Sequence, residues 1–163
     1  MLIVDSIQDV QDMARGAVLL STGGGGDPYI GELFVSAQVK RGRYPKIISC
    51  DEIADAAFVL SIAGFGAPTP ILEYMLSEKV MVRLLAEAEA FHGRRIDALI
   101  CMEIGGANSM MPLAAAASSG IPLLDADGMG RAFPQLEMTT FSIKGCTVRS
   151  EEHTSELQSQ NRI

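Results

Sequence analysis

Apolar runs alternate with amphipathic stretches through the first 148 residues, and each change of pattern is marked by glycine, proline or a short polar side chain. Ser6 opens a short helix with Ile7, Val10 and Met13 on one face, which Gly16 is expected to stop. Ala17-Val18-Leu19-Leu20 then reads as a strand leading into Gly23-Gly24-Gly25-Gly26. The next spacing predicts a helix over 28–41, with Asp27 as N-cap, Pro28 at the first helical position and Tyr29, Ile30, Leu33, Phe34 and Ala37 buried. Residues 46–49 and 57–62 predict two further strands, the second running into Gly64, Gly66 and Pro68. A helix over 79–92 is expected to bury Val80, Leu84, Leu85, Ala88 and Phe91, to pair Arg83 with Glu87 on its surface and to close at His92. Residues 96–102 form an almost continuous apolar strand, as a parallel strand covered on both faces requires. An alanine-rich helix over 110–119, ended by Gly120 and Pro122, and a strand over 122–124 complete the pattern.

Strands that alternate with helices predict an α/β fold: an open, mostly parallel sheet with helices on both faces, a Rossmann-like three-layer arrangement. Four of the expected strands end in loops rich in Gly, Asp, Glu and Asn. In such sheets the ligand crevice lies at the carboxyl ends of the strands, so the four loops are expected to converge on one site.

Composition narrows the partners. The chain has 163 residues, 48% of them hydrophobic, with a net charge of -7, and its sequence pI is about 4.8. The length suits one domain with a real core. The acidic balance disfavours nucleic acid and anionic membrane as partners. No apolar run approaches the roughly 18 residues of a membrane span, and Met1-Leu2-Ile3-Val4-Asp5 carries no basic leader, so a cytoplasmic protein is expected. Cys50, Cys101 and Cys146 are widely spaced, odd in number and without CxxC spacing, which reads as reduced thiols.

The chemistry expected at the strand ends is specific in type. Glu103, Asp125 and Asp127 are carboxylates able to act as acid and base or to hold a hard divalent metal ion. Arg131 could hold an anionic group. Gly23, Gly24, Gly25 and Gly26, with Asp27, offer main-chain amides to a small-molecule substrate, as do Gly105 and Gly106. Asn108 and Ser109 could orient a substrate amide or cap the following helix, and Asp125 or Asp127 with Gly128 could be an ordinary turn. His92 is the single histidine of residues 1–148, so Cys-His or Ser-His nucleophilic machinery is not available there. The glycine run lacks the GK[ST] ending of a P-loop. Neither register gives GxGxxG, because Pro28 or Tyr29 stands where the third glycine belongs, so ATP and NAD motifs are absent.

The last stretch departs from this pattern. Residues 149–159 match, codon by codon, a translated sequencing-library adapter, so 149–163 is expected to be a non-native, disordered tail. Residues 1–148 are then the α/β N-terminal domain, incomplete if the true gene continues where the adapter begins.

Three segments carry a resemblance. Thr22-Gly23-Gly24-Gly25-Gly26-Asp27-Pro28-Tyr29, Glu103-Ile104-Gly105-Gly106-Ala107-Asn108-Ser109 and Asp125-Ala126-Asp127-Gly128-Met129-Gly130-Arg131-Ala132-Phe133-Pro134 are similar, in order, to the signature segments of the S-methyl-thiohydantoin desulfurase domain family, once catalogued beside hydantoinase and oxoprolinase proteins. The resemblance spans about residues 7–140. It implies a second, largely β domain as C-terminal partner, a homo-oligomer, and hydrolysis of thiohydantoin or hydantoin-type small molecules. On that reading Glu103 or Asp127 positions a water, directly or through a metal ion, while the Gly23 to Gly26 amides and Arg131 hold the developing anion. A non-catalytic module that binds a small ligand or regulates a hydantoinase partner is the other reading. Cys101 is expected to be a buried core thiol rather than a nucleophile.

Overall fold

A computed structural model describes residues 1–64, 77–133 and 135–145. Gly66, Pro68, Pro134, Cys146 and the 149–163 segment lie outside the described residues. The elements are β1 (Leu2–Ile3), α1 (Ile7–Ser21), α2 (Tyr29–Lys40), β2 (Lys46–Ile48), β3 (Val59–Ile62), α3 (Glu78–His92), β4 (Ala98–Cys101), α4 (Ala107–Ser119), β5 (Leu123–Asp127) and α5 (Thr140–Ile143). The five strands form one sheet in the order β1-β2-β5-β4-β3. All neighbours are parallel except β1, which pairs antiparallel with β2 at the edge. The α/β fold with a mostly parallel sheet is therefore the one expected, with a two-residue edge strand added.

The core forms where α4 lies on the sheet, in contact with β3, β4 and β5, and where α1, α2 and α3 pack around it. Every residue of α4 from Asn108 to Ala117 is buried. Its alanines leave room for neighbours to approach closely, and the α2 crossing shows how closely: a Cβ on Gly31 would overlap that of Met110. Leu99, Leu113 and Met110 are among the largest fully buried side chains at the centre.

Three helical readings need correction. Gly16 does not stop α1, which continues to Ser21, so the apolar run Ala17 to Leu20 is its last turn and not a strand. A helical glycine costs only about 1 kcal/mol relative to alanine, and the stripe Val10, Ala14, Ala17 and Ser21 buried against the core outweighs it. Leu19 stands 77% exposed as a result. In α2 the buried face is Gly31, Val35, Ser36, Gln38 and Val39; Tyr29, Ile30, Leu33 and Ala37 face outward and Phe34 is half-buried. The α4 contact selects that face through Gly31, which no bulkier residue could replace without moving Met110. In α3 only Met81 and Leu85 are buried, with Ala88 half-buried and Val80, Leu84 and Phe91 exposed. The surface pair of Arg83 with Glu87 forms at 2.7 Å, and His92 ends the helix against the Phe58 ring.

An open groove of about 880 Å³ runs between α2 and α3, with Phe34, Ala37, Val82 and Ala86 among its lining. Beside it Glu78 binds both Arg41 and Arg43, and the Arg43 hydrogen bond above all holds the Glu78 carboxyl below its ordinary range. The groove lies apart from the glycine-rich loops.

Candidate functional site

The loop Gly23 to Gly26 joins two helices, α1 and α2, instead of following a strand as expected. Three strands, β3, β4 and β5, rather than four, deliver the polar loops. The tertiary structure nevertheless brings the glycine loop to their carboxyl ends. The Gly106 amide donates to the Ala17 carbonyl at 3.0 Å, the Ala107 amide to Gly26 at 3.2 Å and the Asn108 amide to Gly25 at 3.4 Å. The opening amides of α4 are thus met by carbonyls of α1 and the glycine loop, so this helix end does not serve as an anion cradle.

Contacts at the glycines explain the composition. Gly106 has φ +62 and ψ −144, and a Cβ there would meet the Gly25 carbonyl at 2.6 Å. Gly25 has φ +73, and its Cβ would overlap the Gly105 carbonyl oxygen and stand 3.4 Å from Glu103 Oε1. A Cβ on Gly105 would meet the Ser21 backbone at 2.8 Å, and one on Gly24 would stand 3.0 Å from the Ala132 methyl. Gly23 and Gly26 are exposed with positive φ. Asp27 and Pro28 behave as the sequence suggests: the Asp27 carboxylate accepts from the Tyr29 amide at 2.9 Å, and Pro28 has helical angles.

Glu103, at the end of β4, is the centre of the assembly and only 4% exposed. Its Oε1 accepts from Asn108 Nδ2 at 2.6 Å and its Oε2 from the Phe133 amide at 2.9 Å. Both donors are neutral. Asn108 and Ser109 lie inside α4 and do not cap it: Ser109 Oγ donates to the Gly106 carbonyl at 2.8 Å, and Asn108 reaches both Glu103 and Gly64.

Asp127 is brought into place by a register shift in β5. Leu99 pairs with Leu123 but Cys101 with Asp127, so β5 spends two extra residues between those pairs. Asp127 Oδ2 then accepts from the Ile104 amide at 2.9 Å and the Gly130 amide at 2.7 Å, fastening the loops after β4 and β5 to each other. Asp125 is exposed on the same strand. Arg131 is exposed and its Nε donates to the Ala132 carbonyl at 3.2 Å. Among the described residues no group of three or more His, Cys, Asp or Glu side chains comes together as a metal site, so Glu103, Asp125 and Asp127 are not assembled into one cation cage. The Phe133 amide, the Gly64 main chain and Ser21 are parts of the assembly that sequence reasoning missed, because they contribute backbone or packing and carry no side-chain signal.

Cys101 is 2% exposed, and its thiol is pushed up to about 12 from 9.0, first by burial and then by the Asp127 and Asp125 carboxylates. Native protein treated with iodoacetamide is therefore expected to label exposed Cys50 and spare Cys101, as read by peptide mass; equal labelling would contradict the burial. Because the folded value lies above the unfolded one, the thiol's contribution to stability is complete below pH 9.0 and is lost as pH rises toward about 12.

No described helix is long and apolar enough to cross a membrane. In structure the chain is similar to a protein from Chromobacterium violaceum solved by crystallography, with a TM-score of 0.71 and 25% identity over 89% of this chain. The match covers 40% of that protein's chain, so this chain spans two fifths of its relative's length. No curated protein matches the sequence. Residues 8–156 match the family described as S-Me-THD-like, N-terminal domain. With its three signature segments meeting at one sheet edge and the match running over most of its length, the chain belongs to the S-Me-THD-like N-terminal domain family.

Proposed function

We propose that the full-length protein built on this domain hydrolyses S-methyl-thiohydantoin or related hydantoin-type small molecules at the carboxyl edge of the sheet. One observation carries the reading: the glycine loop is folded onto Glu103, with Gly25 close enough that a single added carbon would stand 3.4 Å from the carboxylate. That places a carboxylate beside a side-chain-free stretch of main chain, the combination a flat heterocycle and a developing anion need. In the proposed reaction, Glu103 takes a proton from water as the oxygen bonds to the ring carbon bearing sulfur. The anion that forms is held by the Gly25 and Gly26 amides, with Arg131 holding an anionic substituent. The carbon–sulfur bond then breaks, the proton returns to sulfur, and methanethiol leaves behind a ring carbonyl. Asp127 serves by fixing the two loops. Each step is carried by water and by this chain's own residues.

A second reading has its own support. Both oxygens of Glu103, and Oδ2 of Asp127, already accept from the protein's own donors, as in a module that shapes a pocket and holds a ligand without chemistry. Incubating the full-length protein with an S-methyl-thiohydantoin separates the two. Release of one methanethiol per ring carbonyl formed is the expected result; saturable binding without methanethiol would favour the holding module.

A further inference from the structure

The Asn108 carboxamide sits where three loops meet, and all of its hydrogens are used. Oδ1 accepts from the Gly64 amide at 2.7 Å, while Nδ2 donates to the Gly64 carbonyl at 3.3 Å and to Glu103 Oε1 at 2.6 Å. The side chain therefore pairs with Gly64 as a neighbouring strand would, and turns its remaining hydrogen to the carboxylate. Its orientation is fixed by chemistry: a flipped amide would set oxygen against the Glu103 oxygen and NH2 against the Gly64 N–H. Buried on the first turn of α4, Asn108 has no N–H left for a substrate.

From this geometry we propose that Asn108 is a positioning residue, which aims Glu103 at the glycine loop and ties that aim to the main chain at the end of β3. The proposal rests on the catalytic role of Glu103 proposed above, and it changes the role expected of Asn108 from binding substrate to orienting the acid–base group. Two features make the coupling mechanical. The Phe133 amide holds the opposite carboxylate oxygen, so Asn108 and Phe133 together fix the plane of the carboxylate. The Gly25 backbone and the Asn108 amide are themselves joined, so the clamp and the loop that would hold the substrate move as one body.

The test is a double-mutant cycle in the full-length protein, with thiohydantoin turnover as readout. Asn108→Leu, which keeps the volume and removes both hydrogen-bonding groups, is expected to lower kcat about 10²-fold with little change in KM, the signature of a misplaced catalytic group. In a Glu103→Gln background the same substitution is expected to cost less than about threefold, because no base remains to be aimed. Additive losses in the cycle, or a rise in KM with kcat intact, would overturn the proposal in favour of packing or of direct substrate contact. Wild-type protein supplies a second measurement independent of the variants' folding. The Asn108 side-chain amide protons are expected to exchange slowly with solvent; exchange as fast as a solvated amide would also overturn it. If Glu103→Gln retains wild-type turnover while these protons are protected, the catalytic reading fails and the clamp stands.

Discussion

Glu103→Gln in the full-length protein is expected to reduce kcat for methanethiol release by about 10²–10⁴-fold, the range a positioned acid–base group supplies. Gln keeps the length and shape of the side chain but replaces one acceptor by a donor. Glu103 stands between two donors, the Asn108 amide on one side and the Phe133 N–H on the other, so whichever way the new carboxamide turns, one donor meets a donor. That orphaned pair adds a stability cost of about 1–3 kcal/mol. The two effects separate by measurement: urea unfolding reads the structural cost, and kcat in buffer where the variant is fully folded reads the chemical one. Turnover within threefold of wild type would remove Glu103 from the chemistry, and Glu103→Ala, which also opens a cavity, should be worse on both counts.

Gly106→Ala is expected to be the most damaging single substitution to the fold. The residue holds φ +62 with ψ −144, angles that favour glycine, and the added carbon would meet Gly25 backbone atoms at 2.6 Å. Backbone strain of about 1–3 kcal/mol adds to an overpacking cost of similar size. Against a usual domain stability of about 5–15 kcal/mol, the sum removes a large part of the whole. Gly42→Ala is the control, since Gly42 also has positive φ but no atom within 4 Å of its missing Cβ. Its expected cost is only about 1–2 kcal/mol. Equal losses of stability in the two variants, measured by denaturant midpoint, would show that the contact between the two glycine loops contributes nothing.

The elements that could be read from the chain are those whose burial follows from local pattern. β3, β4 and α4 lie close to where the apolar runs put them, since β4 is apolar enough to be covered on both faces and α4 has small side chains almost throughout. The Arg83–Glu87 pair and the Asp27 cap were legible for the same reason: each involves residues within one turn. Where two elements had to choose faces for each other, local pattern misled. Tyr29, Ile30 and Leu33 form a good apolar stripe, yet α2 turns Gly31 inward because Met110 of α4 comes too close there for anything bulkier, and Gln38 is buried on the same face. Ala17 to Leu20 reads as a strand by itself, but one buried alanine in register with Val10, Ala14 and Ser21 is enough to continue a helix.

The candidate site divides along the same line. By itself the sequence determined the kinds of groups present: bare main chain at Gly23 to Gly26 and at Gly105 and Gly106, carboxylates at Glu103, Asp125 and Asp127, one carboxamide at Asn108 and one cation at Arg131. Residue type sets hydrogen-bonding capacity and backbone freedom, and both can be read without a fold. Only the tertiary structure decided which of them meet. It placed a helix-to-helix loop on strand ends that it does not follow in sequence, spent Asp127 on the amides of Ile104 and Gly130, and enclosed Glu103 between Asn108 and Phe133. Those meetings depend on carbonyl-to-amide bonds such as Gly25 to Asn108 and Gly26 to Ala107, between segments some eighty residues apart in the chain, and no periodicity along the chain encodes a bond between backbones so distant.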